Sequence, residues 1–463
     1  MSPILYLFYN AELLEKVENN SLRTSGVGFV DDVNILTYGA NTMRNCETLK
    51  RIHTACEEWA RRHGSQFNPD KYELIHLTRR PSRYEMNKGL QIGSQVITPS
   101  ANIRVLGVQI DSALRWQAHV RDIEAKAQRT LSAVRSLTGS TWGASQAAGR
   151  KLYTAVTRPI IAYGANAWYT PQGVKGHRKW VVSKLKAIQG QHLRTITGAY
   201  RATSTEAVEI ETDIPPIDIH LEKVIAKTIL RISTSPASRV VDAATRQIRQ
   251  QMRSKGTRLA KTGETEGQRK KKWVHTRLGE LDGHQLPTFK EPPWQLEQVE
   301  RGHTADEEHT QRLQTLQVKA DKSVRKAWRE RWRQGDKGQH LRRLVPVPSP
   351  ANRKLHAGRL KPESALLTQL RTGKVGFNDF LYNRRVPGVW SRRCPCGQGP
   401  MTVLHVLLLC SRWNETRTNV GLLGSTDLKA VLTSRKGATA ATRFVIQTGL
   451  LEQFRLYAGE TQG

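Results

Sequence analysis

The apolar positions of this chain change period twice. Before Asp111 they fall into one helix-spaced set, then short strand-like runs and a second helix; from Asp111 to about Ser233 they recur at three- and four-residue spacing; beyond that the pattern fades and returns only near the C-terminus. The spacing predicts a first helix over Ile4 to Lys16, with Ser2 as N-cap and Pro3 at the first helical position. Two apolar runs then meet at a pair of carboxylates in Gly26-Val27-Gly28-Phe29-Val30-Asp31-Asp32-Val33-Asn34-Ile35-Leu36-Thr37-Tyr38, closed by Gly39. Val, Ile, Phe, Thr and Tyr suit pleated, half-buried strands and Asp suits a tight turn, so this stretch reads as a β-hairpin with Asp31 and Asp32 at an exposed tip. A second helix follows from Thr42 to His63, amphipathic through Cys46, Leu49, Ile52, Cys56 and Trp59. Tyr72 to Leu77, Leu90 to Ile92, Val96 to Ile97 and Ile103 to Ile110 are short strand-like runs, giving residues 1–110 an α+β character.

Residues 111–235 read as a helical bundle. Trp116, Val120, Ile123, Ala127, Leu131 and Val134 form one face; Leu152, Val156 and Ile160, then Val181, Leu185, Ile188 and Ile196, form two more; a fourth helix runs from Ile217 to Ile232 behind Pro215-Pro216. In residues 236–350 charge replaces apolar period, which predicts a basic, partly disordered linker or loosely helical arm. Residues 351–463 hold a helix at Glu363 to Arg371, an aromatic patch at Phe377, Phe380 and Tyr382, and a Cys/His cluster. The apolar core of this last region looks too small to fold unaided, so it is expected to need a metal.

Composition narrows the partner. Lys and Arg total 73 against 40 Asp and Glu, a formal charge of +33, which points to a polyanion and most simply to nucleic acid. Hydrophobic residues make up 38% of 463 positions, enough for two to four domains with some loosely packed segments. Five cysteines are too few for a disulfide scaffold, and three of them cluster with a histidine, so a reducing compartment and a metal site are expected. No apolar run reaches the ~20 residues of a membrane span, and the N-terminus lacks the basic lead and cleavage site of a secretory signal.

Three groups of residues carry candidate chemistry. Asp31 and Asp32 side by side repel unless a cation intervenes, and Mg2+ takes one or two carboxylates while leaving positions for phosphates. The competing reading is a turn chosen for solubility. Cys394, Cys396, His405 and Cys410, spaced C-x-C-x8-H-x4-C, supply three thiolates and an imidazole, a closed tetrahedral shell for a structural Zn2+. Arg269, Lys270, Lys271, Lys272 and Trp273 combine charge with an aromatic ring, as single-stranded nucleic acid requires. The alternative is that Trp273, Trp294, Trp328 and Trp332 anchor a marginal helical segment.

Several motifs then fall into a familiar order. Ser2-Pro3-Ile4-Leu5-Tyr6-Leu7-Phe8-Tyr9-Asn10, Phe29-Val30-Asp31-Asp32, Phe67-Asn68-Pro69-Asp70-Lys71-Tyr72-Glu73, Val105-Leu106-Gly107-Val108-Gln109-Ile110-Asp111 with Trp116 and His119, and Arg158-Pro159-Ile160-Ile161-Ala162-Tyr163-Gly164-Ala165 with Trp168 resemble, in sequence order, the motifs of LINE-type non-LTR retrotransposon reverse transcriptases of the jockey, I and Tad kind. The terminal cluster is similar to the zinc knuckle that follows the polymerase in many such elements. The resemblance implies a partial reverse-transcriptase palm, a helical thumb, a basic linker and a small zinc module. It implies an RNA-directed DNA polymerase working on an RNA template and a DNA primer in the nucleus, with Asp31 and Asp32 as Mg2+ ligands and Lys71 as the acid that protonates pyrophosphate. The third family carboxylate, the fingers and the Gln-Gly of the helix motif have no counterpart, so a truncated frame or an internal start is expected, with little or no activity in isolation. No ribonuclease H signature is found in the interval where relatives carry one. The other class of function is a non-catalytic nucleic-acid-binding remnant that uses the basic arm and the zinc module.

Overall fold

A two-stranded hairpin is marginal in water by itself, and this one survives because two helices cover one of its faces. The computed structural model describes residues 3–19, 21–233, 266–278 and 299–454, with the single positions 246 and 264. Ser2, Trp294 and the basic positions Arg249, Arg253, Lys255, Arg258 and Lys261 lie outside the described residues. The chain forms two units, Met1–Ile123 and Glu124–Gly463.

In the first unit α1 (Pro3–Val17) precedes β1 (Thr24–Phe29) and β2 (Asp32–Thr37), which pair antiparallel with Phe29 opposite Asp32. The next helix, α2 (Thr42–Arg62), is capped by Asn41, whose side chain accepts from the Arg44 N–H. Leu13 and Val17 of α1 bury against Ile52, Cys56 and Trp59 of α2, and Val33 and Ile35 of the hairpin pack on that cluster. Two more hairpins follow: β3 (Leu90–Ile92) with β4 (Gln95–Ile97), and β5 (Asn102–Val105) with β6 (Val108–Asp111). The expected single run Ile103 to Ile110 folds back on itself because Leu106 and Gly107 both take left-handed φ, 46° and 79°. The expected strand from Tyr72 to Leu77 keeps one bridge, Leu74 to Pro99. The described sheets are thus three separate pairs in a helix-rich chain.

The unit boundary falls inside α3 (Gln117–Leu137). Asp111 accepts from the backbone N–H of Arg115, at 2.8 Å, and from that of Trp116, which fixes the entry to that helix. Short helices α4 (Gln146–Leu152), α5 (Arg158–Ala162) and α6 (Ala165–Trp168) lead to α7 (Lys179–Thr197), α8 (Thr205–Thr212) and α9 (Ile217–Ser233). Val134, Tyr153, Leu193, Ile196, Val208 and Ile214 form one core among them.

The described residues of the basic interval are largely helical. Residues Glu266–Leu278 form α10 and Val299–Gln334 form α11, which lies along α9: Lys223 and Lys227 reach Asp321 at 2.6 and 3.3 Å, and Arg331 reaches Asp218 at 2.7 Å. Trp328 and Trp332 are buried rather than presented to a ligand. Beyond them come α12 (Gln339–Leu344), α13 (Ala351–His356), α14 (Lys361–Thr372), α15 (Asn378–Asn383), α16 (Asn414–Asn419), α17 (Leu428–Thr433) and α18 (Arg435–Gln447). One hydrophobic cluster runs through Ala207, Ile219, Trp328, Leu366, Val406, Leu432 and Phe444. The expectation of a small, separately cored terminal domain is therefore corrected: the C-terminal helices share their core with α8, α9 and α11.

Every residue of the polar helix α8 except Glu206 is buried. Glu211 accepts from Arg371 Nε at 2.8 and 3.1 Å and lies 3.0 Å from His356 Nε2, while Arg371 also donates to Leu432 O and Asn352 Oδ1. Burial works to raise the Glu211 pKa, but Arg371 and His356 outweigh it and hold the carboxyl below its usual range. Glu209, two residues earlier, accepts from the Gln189 amide at 2.8 Å, and burial pushes it up to about 8. Its folded-state pKa lies above the ordinary 4.5, so its contribution to stability is complete below 4.5 and is lost as pH rises towards 8. Glu209→Gln, which keeps the shape and removes the titration, should flatten the fall in stability across that window by about 5 kcal/mol, read from denaturant unfolding at several pH values. An unchanged pH profile would show that Glu209 is ionised in the folded chain.

Candidate functional site

The hairpin tip places both expected carboxylates in solvent. Asp31 and Asp32 are exposed; Asp31 belongs to the turn and Asp32 opens β2. The left-handed backbone of the turn falls on Val30, at φ 53°, and not on an aspartate. A β-branched residue held there costs on the order of 1–3 kcal/mol and persists only when its surroundings impose it. Asn10 supplies part of that constraint: this buried side chain of α1 donates from Nδ2 to Val30 O at 2.7 Å. Sequence reasoning placed Asn10 in a motif without giving it a task. Lys71 ends a short 3-10 turn, Pro69–Lys71, and is exposed; among the described residues no hydrogen bond or ion pair joins it to Asp31 or Asp32.

The second site is complete in its ligand set. Cys394, Cys396, His405 and Cys410 bring their ligand atoms within 4.8 Å of one another, and among the described residues no other group of three or more such ligands gathers. Cys394 Sγ lies 3.7 Å from Cys410 Sγ, and Cys396 Sγ lies 3.1 Å from His405 Nε2. Tetrahedral zinc at ~2.3 Å from each sulfur separates two thiolates by about 3.8 Å, so the cluster fits that ion. Gly397, at φ 76°, makes the first half possible: its N–H donates to Cys394 O while the Cys394 N–H donates to Gly399 O, folding the C-x-C segment into a tight knuckle.

The five-residue step from His405 to Cys410 has a local cause. Thr402 Oγ1 accepts from the His405 N–H, and residues His405–Leu409 then form a π-helical turn in which the Cys410 N–H donates to His405 O at 2.8 Å. The wider turn adds the extra residue that an ordinary α-turn would have to place elsewhere. Arg417, buried, donates to Val406 O at 3.4 Å, to Cys410 O and to Asn414 Oδ1. It was one more arginine in a basic sequence, and nothing in its local pattern marked it. Burial raises the Cys410 thiol to about 12, whereas backbone N–H donation at Gln398 leads the causes that lower Cys396. Burial and then the Arg417 charge lower His405, which favours the neutral imidazole a metal requires.

The basic stripe does not form one exposed face. Lys270 is buried, with its Nζ donating to Asn166 O at 2.8 Å and paired with Glu266 at 3.1 Å; Arg269 donates to Glu264 O; Trp273 packs with Val274, Leu230 and Leu316. Lys272 is exposed and lies 3.7 Å from Glu264, and Lys271 is half-buried. Helical spacing turns every third or fourth member of a contiguous run inward, here Lys270 and Val274, which a reading of the run as a strip could not anticipate.

Comparison with known proteins gives relatives of one kind. The chain is 31% identical over 145 residues to a retrovirus-related Pol polyprotein from type-1 retrotransposable element R1 4 of Nasonia vitripennis, a match covering 31% of this chain and 36% of that protein. It is 21% identical over 241 residues to the RNA-directed DNA polymerase from mobile element jockey of Drosophila funebris, covering 51% of this chain and 25% of the relative. A third match, to a putative 115 kDa protein in type-1 retrotransposable element R1DM of Drosophila melanogaster, is 20% identical over 396 residues and covers 85% of this chain and 31% of that protein. The matched segments are thus only about a quarter to a third of these relatives. No family model matches, and no solved structure matches.

The cluster geometry sets an expectation for metal content. The full chain should carry one zinc ion, measured by elemental analysis after dialysis, and Cys394→Ser with His405→Ala should abolish it. Zinc retained undiminished by the double variant would contradict the ligand set.

Proposed function

We propose that the chain is the palm, thumb and zinc-bearing portion of an RNA-directed DNA polymerase of a non-LTR retrotransposon. The observation that carries the proposal is the exposed carboxylate pair at the tip of the β1–β2 hairpin, in a chain whose relatives include a protein named as an RNA-directed DNA polymerase. Asp31 and Asp32 are the residues that would hold Mg2+, and Asn10 keeps the turn in the backbone state that presents them. Magnesium, when bound, supplies charge stabilisation for an in-line attack of a primer hydroxyl on a nucleotide phosphate. Lys71 then stands as the proton donor to the leaving pyrophosphate, and the helical bundle and basic surfaces hold the template and primer by their phosphates.

The second reading, nucleic-acid binding without catalysis, draws on one contrast. The Cys/His shell has four ligands in place, while no third carboxylate joins Asp31 and Asp32 among the described residues. Two-metal chemistry needs both ions held in line, so this chain by itself should give no primer extension on an RNA template. In a longer protein that also carries the third carboxylate and the nucleotide pocket, single-nucleotide incorporation should be abolished by Asp31→Ala and strongly reduced by Asp32→Ala. Lys71→Ala should cost about 10²- to 10⁴-fold, since it removes an acid while leaving the metal ligands in place. Extension by the present chain alone, or a longer protein indifferent to Asp31→Ala, would overturn the polymerase reading.

A further inference from the structure

A single exposed tryptophan means little by itself, but Trp390 is held out deliberately. It is 88% exposed, in the segment between α15 and the first zinc ligand. The backbone there is not loose. At the end of α15 the Arg385 N–H donates to Tyr382 O and the Val386 N–H to Leu381 O, with Arg385 at φ 52°, a helix stop of the Schellman kind made with arginine where glycine is usual. Val386-Pro387-Gly388-Val389 then closes a β-turn: proline sits at the second position, Gly388 takes φ 84°, and the Val389 N–H donates to Val386 O at 3.3 Å. Past Trp390 the chain is clamped to the knuckle, with Arg393 bridged to Pro400 and the Met401 N–H donating to Arg392 O at 2.8 Å. Two hydrogen-bonded turns on one side and the knuckle on the other therefore present an indole ring to solvent.

The charges within the segment itself have one sign. Residues 384–393 contain Arg384, Arg385, Arg392 and Arg393 and no carboxylate, and all four arginines are exposed. Arg392 pairs with Asp379 at 2.6 Å, whereas Arg384, Arg385 and Arg393 have no carboxylate partner among the described residues. Arg384 and Lys374 both sit over the Phe380 ring, at 5.9 and 5.6 Å, extending the cationic surface along α15. An apolar protein partner would meet unneutralised guanidinium groups here; a phosphate backbone neutralises them and leaves its bases free to stack on the indole.

We infer that the Arg384–Arg393 segment is a docking site for single-stranded nucleic acid, with Trp390 as a stacking platform for one base and Arg384, Arg385 and Arg393 as phosphate contacts. The inference rests on the reading that this chain handles nucleic acid, and it adds a place and a base contact that the polymerase reading does not require. The ring stacks without reading sequence, so the site accepts any base.

The test uses the zinc-loaded full chain, fluorescence anisotropy at one fixed salt concentration, and two probes of equal length: oligo(dT) and an abasic oligonucleotide with the same phosphates. Trp390→Ala should weaken oligo(dT) binding roughly five- to hundredfold and the abasic probe by less than about twofold, while Trp390→Phe keeps most of the affinity. Arg384→Ala with Arg385→Ala should weaken both probes and lower the salt slope by about one to two. Trp390 packs against almost nothing, so its removal leaves the fold intact, which circular dichroism and zinc content check. Equal loss on both probes, or no loss on either, overturns the stacking platform and leaves Trp390 as a contact for another protein. Failure of the parent chain to bind either probe overturns this inference together with the nucleic-acid reading beneath it.

Discussion

Glu211 and Arg371 have no exposed side-chain surface, and the two-point contact between them, at 2.8 and 3.1 Å, is the interaction on which the second unit depends. The ion pair joins α8, early in the helical region, to α14, far along the chain, and Arg371 extends the link to Leu432 of α17 and Asn352 of α13. His356 Nε2 lies 3.0 Å from the second carboxylate oxygen. Removing one member of such a pair strands the other in the interior at a cost of about 3–5 kcal/mol, although replacing both by apolar groups need not destabilise. The consequence is architectural. The Cys/His cluster is mounted on helices that share a core with α8, α9 and α11, so its ligands and the loop before it are presented from a large packed body and not from a small knuckle on a string.

Much of the first unit was legible because its signals are local. Alternating apolar runs around two carboxylates gave the β1–β2 hairpin, and three- and four-residue spacing gave α2 with Cys46, Cys56 and Trp59 facing inward. The metal cluster was legible for a different reason: four ligands with a turn glycine form a chemical pattern that ordinary core packing rarely reproduces. What failed was anything set by distant partners. The sequence of α8, Thr-Glu-Ala-Val-Glu-Ile-Glu-Thr, looks like a surface helix, and the partners that stabilise the buried Glu211 carboxylate, Arg371 and His356, lie about 150 residues further along the chain. In α11 the charge density suggested a loose arm, yet Leu316, Ala320, Trp328 and Trp332 recur at helical intervals and bury. The stripe at Arg269 to Trp273 shows the same error in reverse, a run read as a surface whose second member, Lys270, points inward.

Both candidate sites rely on backbone states that their residues would not choose alone. Val30 takes left-handed φ at the hairpin tip and Asn10 holds its carbonyl; the His405–Leu409 turn widens to a π-helix and thereby brings two ligands five residues apart into one cluster. Left-handed or widened turns of this kind cluster where geometry matters more than local stability. They differ in completeness. The Cys/His cluster has four ligand atoms gathered and an arginine, Arg417, braced against the segment that carries Cys410, whereas the hairpin offers two carboxylates to solvent. In the function proposed above, holding nucleic acid is the task assigned to this chain's own residues, and polymerisation is one to which they would contribute.

That claim is tested most directly by the salt dependence of nucleic-acid binding. With a formal charge of +33, binding of a single-stranded oligonucleotide should be dominated by counterion release, so the logarithm of the association constant should fall linearly with the logarithm of salt concentration. Contacts to several phosphates predict a loss of roughly a hundredfold or more between about 50 and 200 mM salt. A flat dependence over that range, or no binding at its lower end, would contradict the account.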